Sequence, residues 1–264
     1  MDIANASAEF QALHHAATPL LLPNAWDYAS AAALAAEGFR AVGTTSLGVA
    51  AAHGLPDGEN RTRVQTLSLA RRLSRLACLV TVDIEAGFSE NPTDVASLAA
   101  ELVSGGAVGV NLEDGRPAGT LADPGVSSEL IAAIKASVPE LFVNARIDTY
   151  WLGVDPNPAA TLARAERYLT AGADGIFVPG VADERDVRAL VDGIPAPLNV
   201  LFRPGEHSIA RLAELGVRRI STGSLLFRVG LSAVVTAARA IRDGAPLAVE
   251  PPGYHDVQRM TTDH

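Results

Sequence analysis

The sequence predicts a single (β/α)₈ barrel, and three observations carry that reading. First, one unit recurs along the chain: a helical segment ends in glycine and a short β-branched run follows at once. Ala36-Glu-Gly38-Phe-Arg-Ala-Val, Ser104-Gly-Gly106-Ala-Val-Gly-Val, Ala171-Gly172-Ala-Asp-Gly-Ile-Phe-Val and Glu214-Leu-Gly216-Val-Arg-Arg-Ile all have this form. Glycine closes helices because it enters the left-handed region without a Cβ penalty. Repeated helix–glycine–strand units imply a parallel sheet. Second, strand candidates begin near Leu20, Arg40, Leu79, Ala107, Leu141, Gly175, Leu198 and Val217, which makes eight. Third, the segments between them have helical periodicity, and barrels of this size are routinely one domain. A doubly wound open sheet is the alternative.

The elements follow in order. Residues 1–19 form an N-terminal extension, and His14-His15 is expected to face solvent there. Strand one ends in Asn24-Ala-Trp26-Asp27 and strand two in Thr44-Thr45-Ser46. The next helix shows apolar positions three and four apart, Val64-x-x-Leu67-x-Leu69-Ala70-x-x-Leu73, with Arg71, Arg72 and Arg75 on a solvated face. Cys78, the only cysteine, stands where that helix gives way to strand three and reads as an inert thiol. Asn91-Pro-Thr-Asp94 and Asp155-Pro-Asn-Pro158 supply cap and first-turn residues for two further helices. The last helix runs from Ser224 to about Arg242, and a Pro- and Gly-rich tail, residues 245–264, follows it. The expected domain is therefore the whole chain, 1–264.

Composition narrows the class. Of 264 residues, 48% are hydrophobic, enough for one large core, and no run approaches the roughly 18–20 apolar residues of a membrane span. The N-terminus MDIANASAEF has no basic n-region, so a cytoplasmic location is expected. One cysteine excludes an intramolecular disulfide framework and a multi-cysteine zinc site. The net charge of −9, with basic residues dispersed among acids, argues against a nucleic-acid partner. No Gly-x-Ser-x-Gly elbow, Walker A loop or Gly-x-Gly-x-x-Gly fingerprint is present.

The chemistry concentrates where strands end. Val80-Thr-Val-Asp83-Ile-Glu85-Ala-Gly-Phe and Val110-Asn-Leu-Glu113-Asp114-Gly both run from apolar residues straight into carboxylates. A buried charge must be paired or bind a cation. Barrels place their active sites at the C-terminal ends of the strands, so these acids could converge on a hard metal such as Mg²⁺. The plainer reading is that they cap helices or pair with arginines. Asn144-Ala-Arg146-Ile-Asp148, Asn199, Arg203 and Thr222-Gly-Ser224 end later strands. An arginine among such acids suits a carboxylate or phosphonate substrate, and arginine binds carboxylates bidentately. Ser221-Thr-Gly-Ser224 has the look of a phosphate-gripping turn, although an ordinary helix cap fits it better; His53 and His207 read as surface histidines.

In order, Pro23-Asn-Ala-Trp-Asp27, Thr45-Ser46-Leu47, Gly54-Leu-Pro-Asp57, Val82-Asp83-Ile-Glu85-Ala-Gly87-Phe, Asn111-Leu-Glu113-Asp114, Ala145-Arg146-Ile-Asp148 and Ala171-Gly-Ala-Asp174-Gly-Ile-Phe-Val-Pro resemble the isocitrate lyase/phosphoenolpyruvate mutase superfamily. The resemblance covers roughly residues 20 to 240. It implies a Mg²⁺-dependent barrel, with Mn²⁺ as a substitute, acting on small 2-oxo or 2-hydroxy acids through enolate-type intermediates, or on P–C bonds. It also implies a homotetramer or homodimer in which the last helix swaps between subunits. Under it, Asp83 coordinates the metal, with Glu85 and Glu113 as further metal acids. Arg146 binds the substrate carboxylate, Thr45, Ser46 and Leu47 hold its other end, and Asp57 with Glu113 stands near the reacting centre; Asn199, at the end of strand seven, is expected from that position to contact substrate as well. Two features depart from the pattern. The usual Asp-x-Asp reads Asp83-x-Glu85, and the gating loop is Gly115-Arg-Pro-Ala-Gly-Thr-Leu-Ala-Asp123, without the lyase cysteine or the lysine of either branch. Water or Tyr28 is then left to supply a proton. The expected activity is carbon–carbon cleavage or decarboxylation of a small dicarboxylate. P–C bond mutase or hydrolase chemistry and a non-catalytic 2-oxo-acid-binding protein are the alternatives.

Overall fold

The computed structural model describes residues 3–262. Its strands are β1 (Leu20–Leu22), β2 (Asn24–Ala25), β3 (Ala41–Thr44), β4 (Leu79–Asp83), β5 (Ala107–Glu113), β6 (Gly115–Arg116), β7 (Thr120–Leu121), β8 (Phe142–Arg146), β9 (Gly175–Val178), β10 (Leu198–Leu201) and β11 (Arg219–Ser221). Nine of them form one parallel sheet in the order β1-β11-β10-β9-β8-β5-β4-β3-β2. Because β1 and β2 are one strand interrupted at Pro23, the sheet closes on itself as an eight-stranded barrel. Proline has no N–H for the ladder, yet its carbonyl still accepts from Gly43 N–H at 2.9 Å, so closure survives the break.

Local chemistry sets the boundaries. Asn91 and Asn157 accept backbone N–H bonds from Thr93 and Ala160, and Pro92 and Pro158 occupy the first helical position after each. Gly106 and Gly216, at φ +87° and +97°, turn the chain from helix to strand in the left-handed region that only glycine enters freely. The helix Arg63–Leu73 buries Leu67, Leu69, Ala70 and Leu73, while Val64 is exposed.

Two features concern the ends of the chain, and the first departs from expectation. The extension contains a helix, Ile3–His14, whose Phe10 packs edge-on against Phe142 at 5.5 Å. With Ala6, Leu20, Leu22, Ala41, Leu79 and Val108 it makes an apolar cluster at the strand beginnings. His14 is therefore not solvent-facing. It is 1% exposed, stacked on Phe142, with Nδ1 against the Phe10 carbonyl at 2.8 Å. Burial pushes its pKa down to about 3. At the other end, helix Leu225–Arg242 buries only Phe227, against Trp26, and leaves Val229, Leu231, Val234, Val235 and Ile241 exposed. A final barrel helix would lay that face on the sheet; this one does not. Among the described residues no helix is long and apolar enough to cross a membrane.

Candidate active site

A cavity of about 300 Å³ opens at the C-terminal ends of the strands. Asp83, Glu113 and Arg146 are the last residues of β4, β5 and β8, and all three line it. Thr45, Ser46, Leu47 and Asp57 line it too, so seven of the nine residues singled out in the sequence share one cavity. The strand period of two aims alternate residues inward, and that brings Asp83, Glu113 and Arg146 to one rim.

Arg146 organises this rim. Its Nη1 pairs with Glu113 Oε2 at 2.6 Å and its Nε with Asp148 Oδ1 at 2.7 Å. The Phe177 and Trp151 rings lie near its guanidinium, each 5.8 Å from centroid to Cζ. Burial is the main force pushing the Glu113 carboxyl up, to about 8, and Arg146 opposes it; Asp148, Asp83 and Asp57 push the same way as burial. Asp148 is raised for the same first reason. Asp57 belongs to an exposed loop, but its carboxyl turns into the cavity beside Ser46, and partial burial raises its pKa.

Four carboxyl groups (Asp57, Asp83, Glu113, Asp148) and two arginines line the cavity; Arg146 pairs with Glu113 and Asp148, while Arg116 is engaged by Glu90 at 3.3 Å and by the Glu113 and Gly115 carbonyls. Asp83 makes no ion pair among the described residues. It accepts only the N–H groups of Glu85 at 3.2 Å and Ser46 at 3.4 Å. Among the described residues no three acidic, His or Cys groups stand together in a way that could hold a metal ion by themselves. Mg²⁺ characteristically uses one or two carboxylates and keeps several waters, so a rim with Asp83 free of ion pairs and Glu113 beside it is compatible with that chemistry.

Two sequence candidates lie elsewhere. Glu85 does not line the cavity. Its backbone takes φ +49°, and the longer arm reaches Thr62 Oγ1 at 2.6 Å and Asn60 N–H at 3.1 Å, holding the loop that follows Asp57. Asn199 points into the barrel one layer below the rim, where it accepts from Ser221 Oγ at 3.2 Å; Leu201 and Ser221 take the wall above it. Tyr28 sits on an outer helix with Arg75 over its ring and is not part of the cavity wall. The Thr222-Gly223 N–H groups are both taken by Asn24 Oδ1, at 3.0 and 2.9 Å, which removes them as phosphate donors. Asp114 is fully buried and turned outward to Arg164 and Tyr168. Cys78 is half-buried, its thiol pushed up to about 11 by burial.

Sequence reasoning assigned no role to Asp148, Asn111, Arg116 or Trp151, all in the cavity wall. Asp148 follows Arg146 at the inward spacing of two, a signal that was present. Gly115 is explained by the same contact: a Cβ there would lie 2.4 Å from Asp148 Oδ2. The gate region is a short hairpin, β6 with β7, whose Gly115, Arg116 and Pro117 face the cavity.

The sequence model described as phosphoenolpyruvate phosphomutase matches residues 10–242. An uncharacterised Mycobacterium tuberculosis protein is 47% identical over 97% of this chain and 96% of its own length. A solved Burkholderia cenocepacia structure, provisionally described as a phosphonomutase, is 38% identical with a TM-score of 0.84, covering 88% of this chain and 98% of that one. The 2-methylisocitrate lyase of Bacillus subtilis is 32% identical over 73% of this chain and 65% of that protein. The oxaloacetate decarboxylase of Ectopseudomonas mendocina is 31% identical over 73% and 69%. With the barrel and its carboxylate rim, these matches establish that the chain belongs to the phosphoenolpyruvate phosphomutase family, within the isocitrate lyase/phosphoenolpyruvate mutase superfamily.

Proposed function

We propose that this chain is a Mg²⁺-dependent carbon–carbon lyase or decarboxylase acting on a small 2-oxo or 2-hydroxy dicarboxylate through an enolate. The observation that carries the reading is the single cavity joining Asp57, Asp83 and Glu113 to a buried Arg146. Nε and Nη1 of Arg146 are held by Asp148 and Glu113, which leaves Nη2 to receive a substrate carboxylate. The Thr45-Ser46-Leu47 turn forms the facing wall and would hold the other end of the substrate. Mg²⁺, or Mn²⁺ in its place, would supply Lewis-acid stabilisation of the oxygen that gains charge as the bond breaks. Asp83 would hold it, with Glu113 and Asp57 in support, and Asp57 would stand beside the reacting centre. The hairpin over the cavity carries no cysteine, lysine or histidine, and Tyr28 is remote, so the proton is left to water. Loss of CO₂ from a 2-oxo diacid generates the enolate directly and suits a site with no dedicated acid. The exposed apolar face of Leu225–Arg242 supports packing of that helix on a neighbouring subunit, in a homodimer or homotetramer.

P–C bond chemistry on a phosphonate is the second reading, and the similarity to the Burkholderia structure favours it. A proton and phosphorus NMR time course on pooled 2-oxo acids, 2-hydroxy acids and phosphonopyruvate separates the two. It is run with Mg²⁺, with EDTA, and with Asp83→Ala as blank. New signals that need both Mg²⁺ and Asp83 are expected, and their identity assigns C–C or P–C cleavage. Turnover that survives EDTA and Asp83→Ala contradicts the proposal; ligand binding with no turnover of any compound points to a non-catalytic binder.

A further inference from the structure

Beneath the rim lies a feature the proposed chemistry does not use: a fully buried arginine, Arg219, inside the barrel. Its Nη2 donates to Asn111 Oδ1 at 3.1 Å, while its Nε and Nη1 have no partner. Asn144 Nδ2 donates to the same Asn111 oxygen at 2.9 Å. A guanidinium has only donors, so the side of the Asn111 amide that meets Arg219 must be its oxygen. The amide is thereby locked in one sense, and its N–H₂ group is left over. Asn111 is 6% exposed and belongs to the cavity floor, and it is the cross-strand partner of Asp83. Among the described residues its Nδ2 has no acceptor. A buried amide with both acceptor positions filled and both donors unspent is a group waiting for an oxygen.

We infer that Asn111 is a substrate-contacting residue that donates its amide N–H₂ to an oxygen of the bound oxyacid, and that Arg219 is the positioning residue that fixes the amide in that sense. The inference rests on the oxyacid reading of the cavity and names a specificity element within it. The donor, beside Asp83, selects ligands with an oxygen acceptor over the floor and disfavours those that place a donor or an alkyl group there. Burial pushes Arg219 down from the usual arginine range to about 9, and Asp83 opposes that shift.

The test uses oxalate, a planar dianion resembling the enolate of a 2-oxo acid, titrated calorimetrically in Mg²⁺. Asn111→Asp keeps an oxygen toward Arg219 and Asn144 but turns a second oxygen, not N–H₂, to the cavity. Loss of one donor to a charged ligand corresponds to roughly ten- to a hundredfold weaker oxalate binding, with a melting temperature within about 3 °C of the parent. Arg219→Lys, which preserves a donor to Asn111, is expected to stay within about threefold. Arg219→Met should weaken binding as Asn111→Asp does, and the double variant should be no worse than either single one, because the two act through one amide. Unchanged oxalate affinity in Asn111→Asp overturns this inference alone. So do losses that multiply in the double variant. A parent chain that does not bind oxalate in Mg²⁺ overturns the oxyacid reading and this inference with it.

Discussion

The two ends of this barrel are built from the same strands and solve opposite problems. At the strand beginnings Phe10, Phe142, Leu79 and Val108 fill the interior, and the histidine there is held neutral by burial. At the strand ends the inward positions are Asp83, Glu113 and Arg146, and burial drives the Glu113 carboxyl toward its neutral form. The lower end is closed by apolar packing, although His14 Nε2 and two nitrogens of Arg219 stay without a partner inside it. The upper end gathers four carboxyl groups around one buried arginine, an arrangement that a bound cation and an anionic ligand would complete together. Barrels confine function to one face for this reason: stability comes from the end that can afford a dry core.

The comparison breaks if a change at one end is felt at the other. The largest expected effect is at the top. Asp83→Asn removes the acid without changing its shape and should weaken Mg²⁺-dependent oxalate binding by at least about 100-fold. Its denaturant midpoint should barely move, because like-charge repulsion falls as two N–H contacts weaken. Phe10→Ala should do the reverse. Truncating a fully buried aromatic is expected to cost about 3–5 kcal/mol of stability, with oxalate affinity in the remaining folded protein unchanged. Chemical denaturation with parallel calorimetry on both variants checks the pair, and a Phe10→Ala chain that folds well but loses oxalate would erase the division of labour.

His14 gives the smallest and most conditional effect. Its folded pKa is about 3 against an unfolded value near 6.5, so between those values the unfolded chain binds the extra proton. Its contribution is intact above pH 6.5 and is lost as pH falls toward 3, by about 2 kcal/mol between pH 7 and pH 5. His14→Phe should flatten that slope in urea melts at the two pH values. An unaltered slope would mean that His14 is not the group being charged.

Much of this was legible in the sequence, and what was not has physical causes. The helix–glycine–strand units located the strands to within one or two residues, and the Asn-Pro pairs marked helix starts, because caps and left-handed turns are local chemistry. Their place where apolar strands run into polar residues put Asp83, Glu113 and Arg146 at the barrel mouth. That position does not give depth, however, so Asn199 was expected at the rim when it lies one layer down, and Asn111 on the floor was given no role. Glu85 was misplaced by a positive φ, a backbone turn that no residue pattern announces outside glycine. His14 was expected in water because the docking of an N-terminal helix under a barrel is a tertiary event, set by where Phe142 and Leu79 leave room.

The central claim is that the rim is organised around a cation held by Asp83 and an oxyacid held by Arg146. Crystals grown with Mn²⁺ and oxalate test it most directly, through the manganese anomalous signal. The account predicts one anomalous peak within ligand distance of the Asp83 carboxylate, with oxalate between it and Arg146 and over Asn111. An ordered cavity with no peak at Asp83, or oxalate bound away from Arg146, would contradict it.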